Sequence, residues 1–125
     1  MIVGVAIWCA TLSAVTTRGG LTLSESDGLT VDSVSVSVNE LDRDGVGQTV
    51  SVAAQSDIEV GAGNVLLQVG GGLTLNDGAD ADGVALSVGG TGTLRVLVNG
   101  GDLVVNAQVS SATGAMRLQA SGAVD

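Results

Sequence analysis

Apolar and polar positions alternate with a period of two along most of this chain, in short bursts broken by glycine, asparagine and aspartate. Leu21-Thr22-Leu23, Val65-Leu66-Leu67-Gln68-Val69 and Leu94-Arg95-Val96-Leu97-Val98 are representative. Helical 3.6-residue spacing is scarce, so the pattern specifies strands. It predicts them over residues 2–7, 21–23, 29–31, 34–38, 49–53, 58–60, 65–69, 73–75, 84–88, 94–98, 103–109 and 116–120. Between them stand Arg18-Gly19-Gly20, Ser26-Asp27-Gly28, Asp42-Arg43-Asp44-Gly45, Gly70-Gly71-Gly72, Asn76-Asp77-Gly78, Gly89-Gly90 and Asn99-Gly100-Gly101. Such residues supply positive φ or bond their own backbone, and they turn the chain. Short strands so closely spaced imply an all-β fold: a sandwich, a barrel or a solenoid.

A loose repeat favours the solenoid. Glycine leads into an alternating run at Gly47, Gly63, Gly92 and Gly114, at uneven intervals, so the repeat is imperfect. The triplets Leu21-Thr22-Leu23, Leu29-Thr30-Val31, Leu73-Thr74-Leu75 and Leu103-Val104-Val105 read as one face of successive coils, two aliphatics inward and one residue outward. Stacked coils place like side chains above one another at about 4.8 Å. At roughly 20 residues per coil the chain makes about six. The expected core is Ile58, Val65, Leu67, Leu73, Leu75, Leu94, Val96, Leu103 and Val105. An antiparallel β-sandwich is the alternative, supported by tight Asn-Gly and Asp-Gly corners such as Asn99-Gly100, which close hairpins.

Composition sharpens this picture. Of the 125 residues 45% are hydrophobic, yet there is no Phe, Tyr or Pro, and Trp8 is the sole aromatic. Small branched side chains fill a thin regular stack better than a sphere, whose interior normally uses large rings. The same abundance of β-branched residues argues against disorder. The whole chain, residues 1–125, reads as a single β-repeat segment cut from a longer repeat protein. Residues 1–14 are apolar but lack a basic leader and are too short for a membrane span, and residues 2–7 alternate as a first strand does.

Four arginines, no lysine and thirteen acids give a net charge of -9. Nucleic acid is therefore not an expected partner, since phosphate needs a basic face and bases need aromatic platforms. Histidine is absent and Cys9 is the lone cysteine. That leaves no intrachain disulfide, no His/Cys metal site and no base for a cysteine nucleophile. Cys9 beside Trp8 reads as a small core hydrophobe.

The densest acidic run is Asn76-Asp77-Gly78-Ala79-Asp80-Ala81-Asp82-Gly83. Oxygen ligands alternating with small residues can wrap a hard cation, which makes Asn76, Asp77, Asp80 and Asp82 candidates for calcium. The same run also suits a polar corner loop, and the Glu that completes an EF-hand is missing. Gly89-Gly90-Thr91-Gly92-Thr93-Leu94 approaches the calcium β-roll repeat but puts Thr93 at the aspartate position. Asp57 and Glu59, two apart on one strand, are the nearest approach to a glycosidase carboxylate pair. They read instead as solvated residues flanking an inward Ile58, and without His, Lys or Tyr the chain is expected not to be an enzyme.

The stretches 27–36, 54–58 and 72–78, and Gly101-Asp102-Leu103-Val104-Val105-Asn106-Ala107 with the residues that follow, resemble repeat units of very large secreted bacterial surface proteins, the filamentous-haemagglutinin-like adhesins. The resemblance covers roughly residues 20 to 125. It implies a right-handed parallel β-solenoid, an extracellular or cell-surface location, and a rigid non-catalytic role in adhesion. Implied partners are host or cell-surface molecules, or neighbouring repeats of the same protein. Unpaired strand edges would make the isolated segment associate end to end. The second functional reading is a calcium-dependent β-roll or β-sandwich module of a secreted protein.

Overall fold

A computed structural model describes residues 3–6 and 11–125, with side chains from residue 11 onward. These residues are all-β, without a helix. In chain order the strands are β1 (Val3–Ala6), β2 (Thr11–Leu12), β3 (Ala14–Thr16), β4 (Leu21–Glu25), β5 (Leu29–Val31), β6 (Ser37–Leu41), β7 (Gly47–Ser51), β8 (Ile58–Val60), β9 (Val65–Val69), β10 (Leu73–Leu75), β11 (Val84–Val88), β12 (Leu94–Val98), β13 (Leu103–Val105), β14 (Gln108–Ser111) and β15 (Met116–Ala120). They form three sheets, ordered β1-β4-β9-β12-β15, β2-β5-β10-β13 and β3-β8-β11-β14, plus the isolated pair β6-β7. Every neighbour in the three larger sheets is parallel. The chain visits the three sheets in rotation, so each strand pairs with one from the preceding round, an arrangement compatible with a β-solenoid.

Antiparallel pairing among the described residues is confined to the β6-β7 hairpin and the bridge between Val34 and Gln55 at its base. The antiparallel sandwich is thus set aside. Asn99-Gly100 closes no hairpin: it turns the chain from β12 into the next parallel sheet, the Asn99 amide donating to the Val69 carbonyl of the round before. The hairpin uses Asp42-Arg43-Asp44-Gly45 instead. Asp42 Oδ1 accepts from the Asp44 and Val46 amides, and Gly45 takes a φ of +77°.

Side chains stack in register. Leu21, Val65, Leu94 and Met116 form one row of the first sheet, and Leu23, Leu67, Val96 and Leu118 the next. Leu29, Leu73 and Leu103 align in the second sheet, as do Val31, Leu75 and Val105. Of the expected core, only Val105 escapes full burial; Leu103 on the same strand is buried, and β13 is bridged in parallel by Val124. The third row of the first sheet is Glu25, Val69, Val98 and Ala120. Glu25 is buried at this valine position, and its carboxylate turns back to accept the Ser26 and Asp27 amides.

Several elements differ from the sequence pattern. The triplet Leu21-Thr22-Leu23 belongs to the first sheet, whereas the other three share the second. Residues 103–109 are two strands, broken at Asn106-Ala107 where the chain passes between sheets. Residues 34–38 and 49–53 shift to become the hairpin, and β2 and β3 lie in a Thr/Ser-rich stretch with little alternation. Ile2, Ile7, Trp8 and Cys9 lie outside the described residues. Successive partners in the first sheet run Val3, Leu21, Val65, Leu94 and Met116, so the rounds differ in length and the one from Leu21 to Val65 is the longest. Two rounds carry insertions between the second and third sheets: the hairpin, and the acidic loop of residues 76–83. Five strands therefore stack in the first sheet where a uniform coil predicts about six.

Candidate cation site

The two insertions meet at one corner. Asn76 does not serve the acidic loop. It follows Leu75 as Asp32 follows Val31 and Asn106 follows Val105, and the three form a ladder across adjacent rounds. The Asn76 amide donates to Asp32 Oδ2 at 3.0 Å, and the Asn106 amide donates to Asn76 Oδ1 at 2.9 Å. The Ser33 amide and Asn76 together hold the Asp32 carboxyl below its ordinary range. Asp77 is an organiser of the loop rather than part of the acidic cluster, its Oδ1 accepting the Gly83 amide at 2.7 Å.

Asp80 and Asp82 are brought together with a residue that the alternation pattern places in solvent. One carboxylate oxygen each from Asp57, Asp80 and Asp82 lies within 4.8 Å of the others. Asp57 is only 1% exposed, while Asp80 and Asp82 are exposed. Two-residue alternation pairs Asp57 with Glu59, but Asp57 precedes β8 with a φ of +64°, so it leaves the strand's alternation and turns inward. Its place in register is that of Ala85, which precedes Leu86, the partner of Ile58, and is also buried. Glu59 stays outside. A carboxylate pair for sugar hydrolysis is therefore not assembled from these two residues.

The loop is held against the hairpin's base. Ser33 Oγ and Ser56 Oγ share a hydrogen bond of 2.7 Å, and the Ala79 amide donates to both hydroxyls. Asp82 Oδ1 caps the start of β11 by accepting the Val84 amide at 2.8 Å. Asp57 Oδ1 is buried without a hydrogen-bond partner. Burial first, then the charges of Asp80, Asp82 and Asp77, and last a hydrogen bond that the protonated group shares with the Asp80 carboxylate, push the Asp57 carboxyl up to about 7. In the unfolded chain the group ionises near 3.8, so between these values the folded state holds the extra proton. Stability from this group is thus complete below about pH 4 and lost as pH rises through 7. Denaturant midpoints in chelator should fall from pH 5 to pH 8, and Asp57→Asn should flatten that difference relative to the parent.

The β-roll-like segment resolves differently. Thr93 bonds Asn64 Oδ1 through its amide at 2.9 Å and its hydroxyl at 3.1 Å, a polar rung between rounds. On the outer side of the third sheet lies an open depression of 350 Å³, lined by Val15, Thr16, Glu59 and Ser87 among others, with Glu59 its sole carboxylate. Among the described residues no helix is long and apolar enough to cross a membrane.

Compared with protein-family models, curated proteins and solved structures, the chain gave no match.

Proposed function

We propose that the chain is a segment of right-handed parallel β-solenoid acting as a rigid, non-catalytic scaffold in a secreted or cell-surface bacterial adhesin of the filamentous-haemagglutinin-like kind. The observation that carries this reading is the in-register stacking of like side chains through three parallel sheets. Such a stack is rigid, grows by adding rounds, and offers long outer faces to partners. Right-handedness follows the general rule for parallel crossover connections. Supporting the idea of neighbouring repeats, Met116 and Val124 are 48% and 54% exposed at the last round, where a further round or a second copy would cover them.

The hairpin is the part best suited to meet a partner. Val36, Val38, Val50 and Val52 lie on one side of it, all exposed, with Leu41 and Val46 at the tip. Val34 and Gln55 exchange two backbone hydrogen bonds of 2.8 and 2.9 Å, so residues 35–54 can be replaced by Asn-Gly in a two-residue type I′ turn. That variant should fold with an unchanged far-UV spectrum. Beads bearing the intact chain should adhere to cultured cells, and beads bearing the hairpin-less variant should adhere several-fold less. Adhesion no greater than that of albumin-coated beads would contradict the adhesin reading.

A further inference from the structure

We propose that Asp57, Asp80 and Asp82 form a calcium site that fastens the acidic loop of residues 76–83 to the end of the hairpin excursion just before β8. Two independent observations carry the assignment. First, three carboxylate oxygens from two segments far apart in the sequence converge within 4.8 Å. Second, Asp57 is buried with Oδ1 lacking any hydrogen-bond partner, although buried polar atoms are nearly always paired. A cation lying among the three carboxylates gives this buried carboxylate a positive partner.

The chemistry of the donors selects the ion. All three ligands are hard oxygens, which suit calcium or magnesium and not the softer transition metals. Calcium sits about 2.3–2.6 Å from its oxygens, so two oxygens on opposite sides of it are roughly 4.6–5.2 Å apart, whereas magnesium draws them to about 4.2 Å. A separation of at most 4.8 Å admits either ion, and an open corner with three carboxylates suits calcium's flexible coordination better than magnesium's strict octahedron. Asp80 and Asp82 are exposed, which leaves room for the water molecules that complete six to eight ligands. The loop already places its own polar groups elsewhere: Asp77 on the Gly83 amide, and Asn76 in the ladder with Asp32 and Asn106. The site therefore differs from a self-contained acidic loop. It joins two rounds of the stack, and binding orders both insertions at once. It stands apart from the adhesin reading, since it needs only the corner geometry.

Titration calorimetry of the full chain, stripped with chelator and then titrated with calcium chloride or magnesium chloride, tests the assignment. The expected result is one calcium per chain, bound at least tenfold tighter than magnesium, with a melting temperature that climbs as calcium is raised. Asp57→Asn keeps the shape of the corner and should still melt cooperatively in chelator, while losing calcium affinity at least tenfold. Asp80→Asn, at an exposed position, should lose it similarly without touching the core. Asp44→Asn in the hairpin turn should bind as the parent does. No calcium heat and no melting shift from the folded parent would overturn the proposal, leaving Asp57 as a protonated carboxyl. So would weak binding that Asp44→Asn reduces as much as Asp80→Asn, since that marks diffuse attraction to an acidic surface.

Discussion

Leu75→Asp abolishes the folded state: its far-UV spectrum should be that of a coil, without a cooperative melt. Leu75 is fully buried at the centre of the row formed with Val31 and Val105. Its neighbours are aliphatic, so a carboxylate there has neither a donor nor a cation, and burying it unpaired costs several kcal/mol or more. A domain of this size commands only about 5–15 kcal/mol in total. Because each round packs only on its neighbours, the loss in a middle round divides the stack. The adjacent outward position supplies the contrast. Thr74 pairs with Thr30 and Val104 on the other face of the same sheet, and Thr74→Asp should remain folded. A folded Leu75→Asp would show that the rows are in another register.

Gly92→Ala should be the second most damaging change, with a loss of roughly 3 kcal/mol or more in denaturant unfolding. Gly92 is not forced to be glycine by a positive φ. It lies where the chain enters β12, directly against the preceding round, and a Cβ there would overlap the carbonyl oxygen of Gly63. A Cβ at Gly114 would likewise overlap the Gly92 carbonyl, and one at Gly63 would meet the backbone of Gly19 and Gly20. Backbone cannot step aside as a flexible side chain can, so the first sheet would have to part at its corner. Gly47 is the control. It leads a run of similar sequence, but a Cβ there meets nothing within 4 Å, and Gly47→Ala should be near neutral.

That contrast also marks how far the sequence could be read. Gly47, Gly63, Gly92 and Gly114 look equivalent, and three of them stack; the fourth in their rank is Gly19, two residues before Leu21, while Gly47 starts a hairpin strand. Strands such as 65–69 and 94–98 were legible because alternation is imposed wherever one face is buried. Which strand pairs with which was not, because insertions of different lengths break the period and alternation carries no partner label. Each member of the Asp32–Asn76–Asn106 ladder directly follows an aligned triplet, but Asn76 also adjoins the acidic run of residues 77–82, and composition alone assigns it there. Asp80 and Asp82 were visible as candidates. Asp57 was not, since a positive φ before the strand reverses the side that alternation assigns; aspartate tolerates that conformation, but an aspartate in extended backbone looks the same in sequence.

Successive rounds that stack in parallel and in register bring residues distant in sequence close together, and a distance across the first sheet tests this most directly. Ser24, Gln68, Leu97 and Gln119 are consecutive partners on four neighbouring strands, and Ser24 and Gln119 are both exposed. Three strand spacings separate them, about 14 Å between backbones. Spin labels at these two positions, in a Cys9→Ser background, should give strong dipolar coupling at a distance close to that backbone separation, widened only by the reach of the two labels. A distribution centred at more than twice that separation, or one as broad as that of the unfolded chain, would contradict the stacked arrangement and the scaffold role proposed from it.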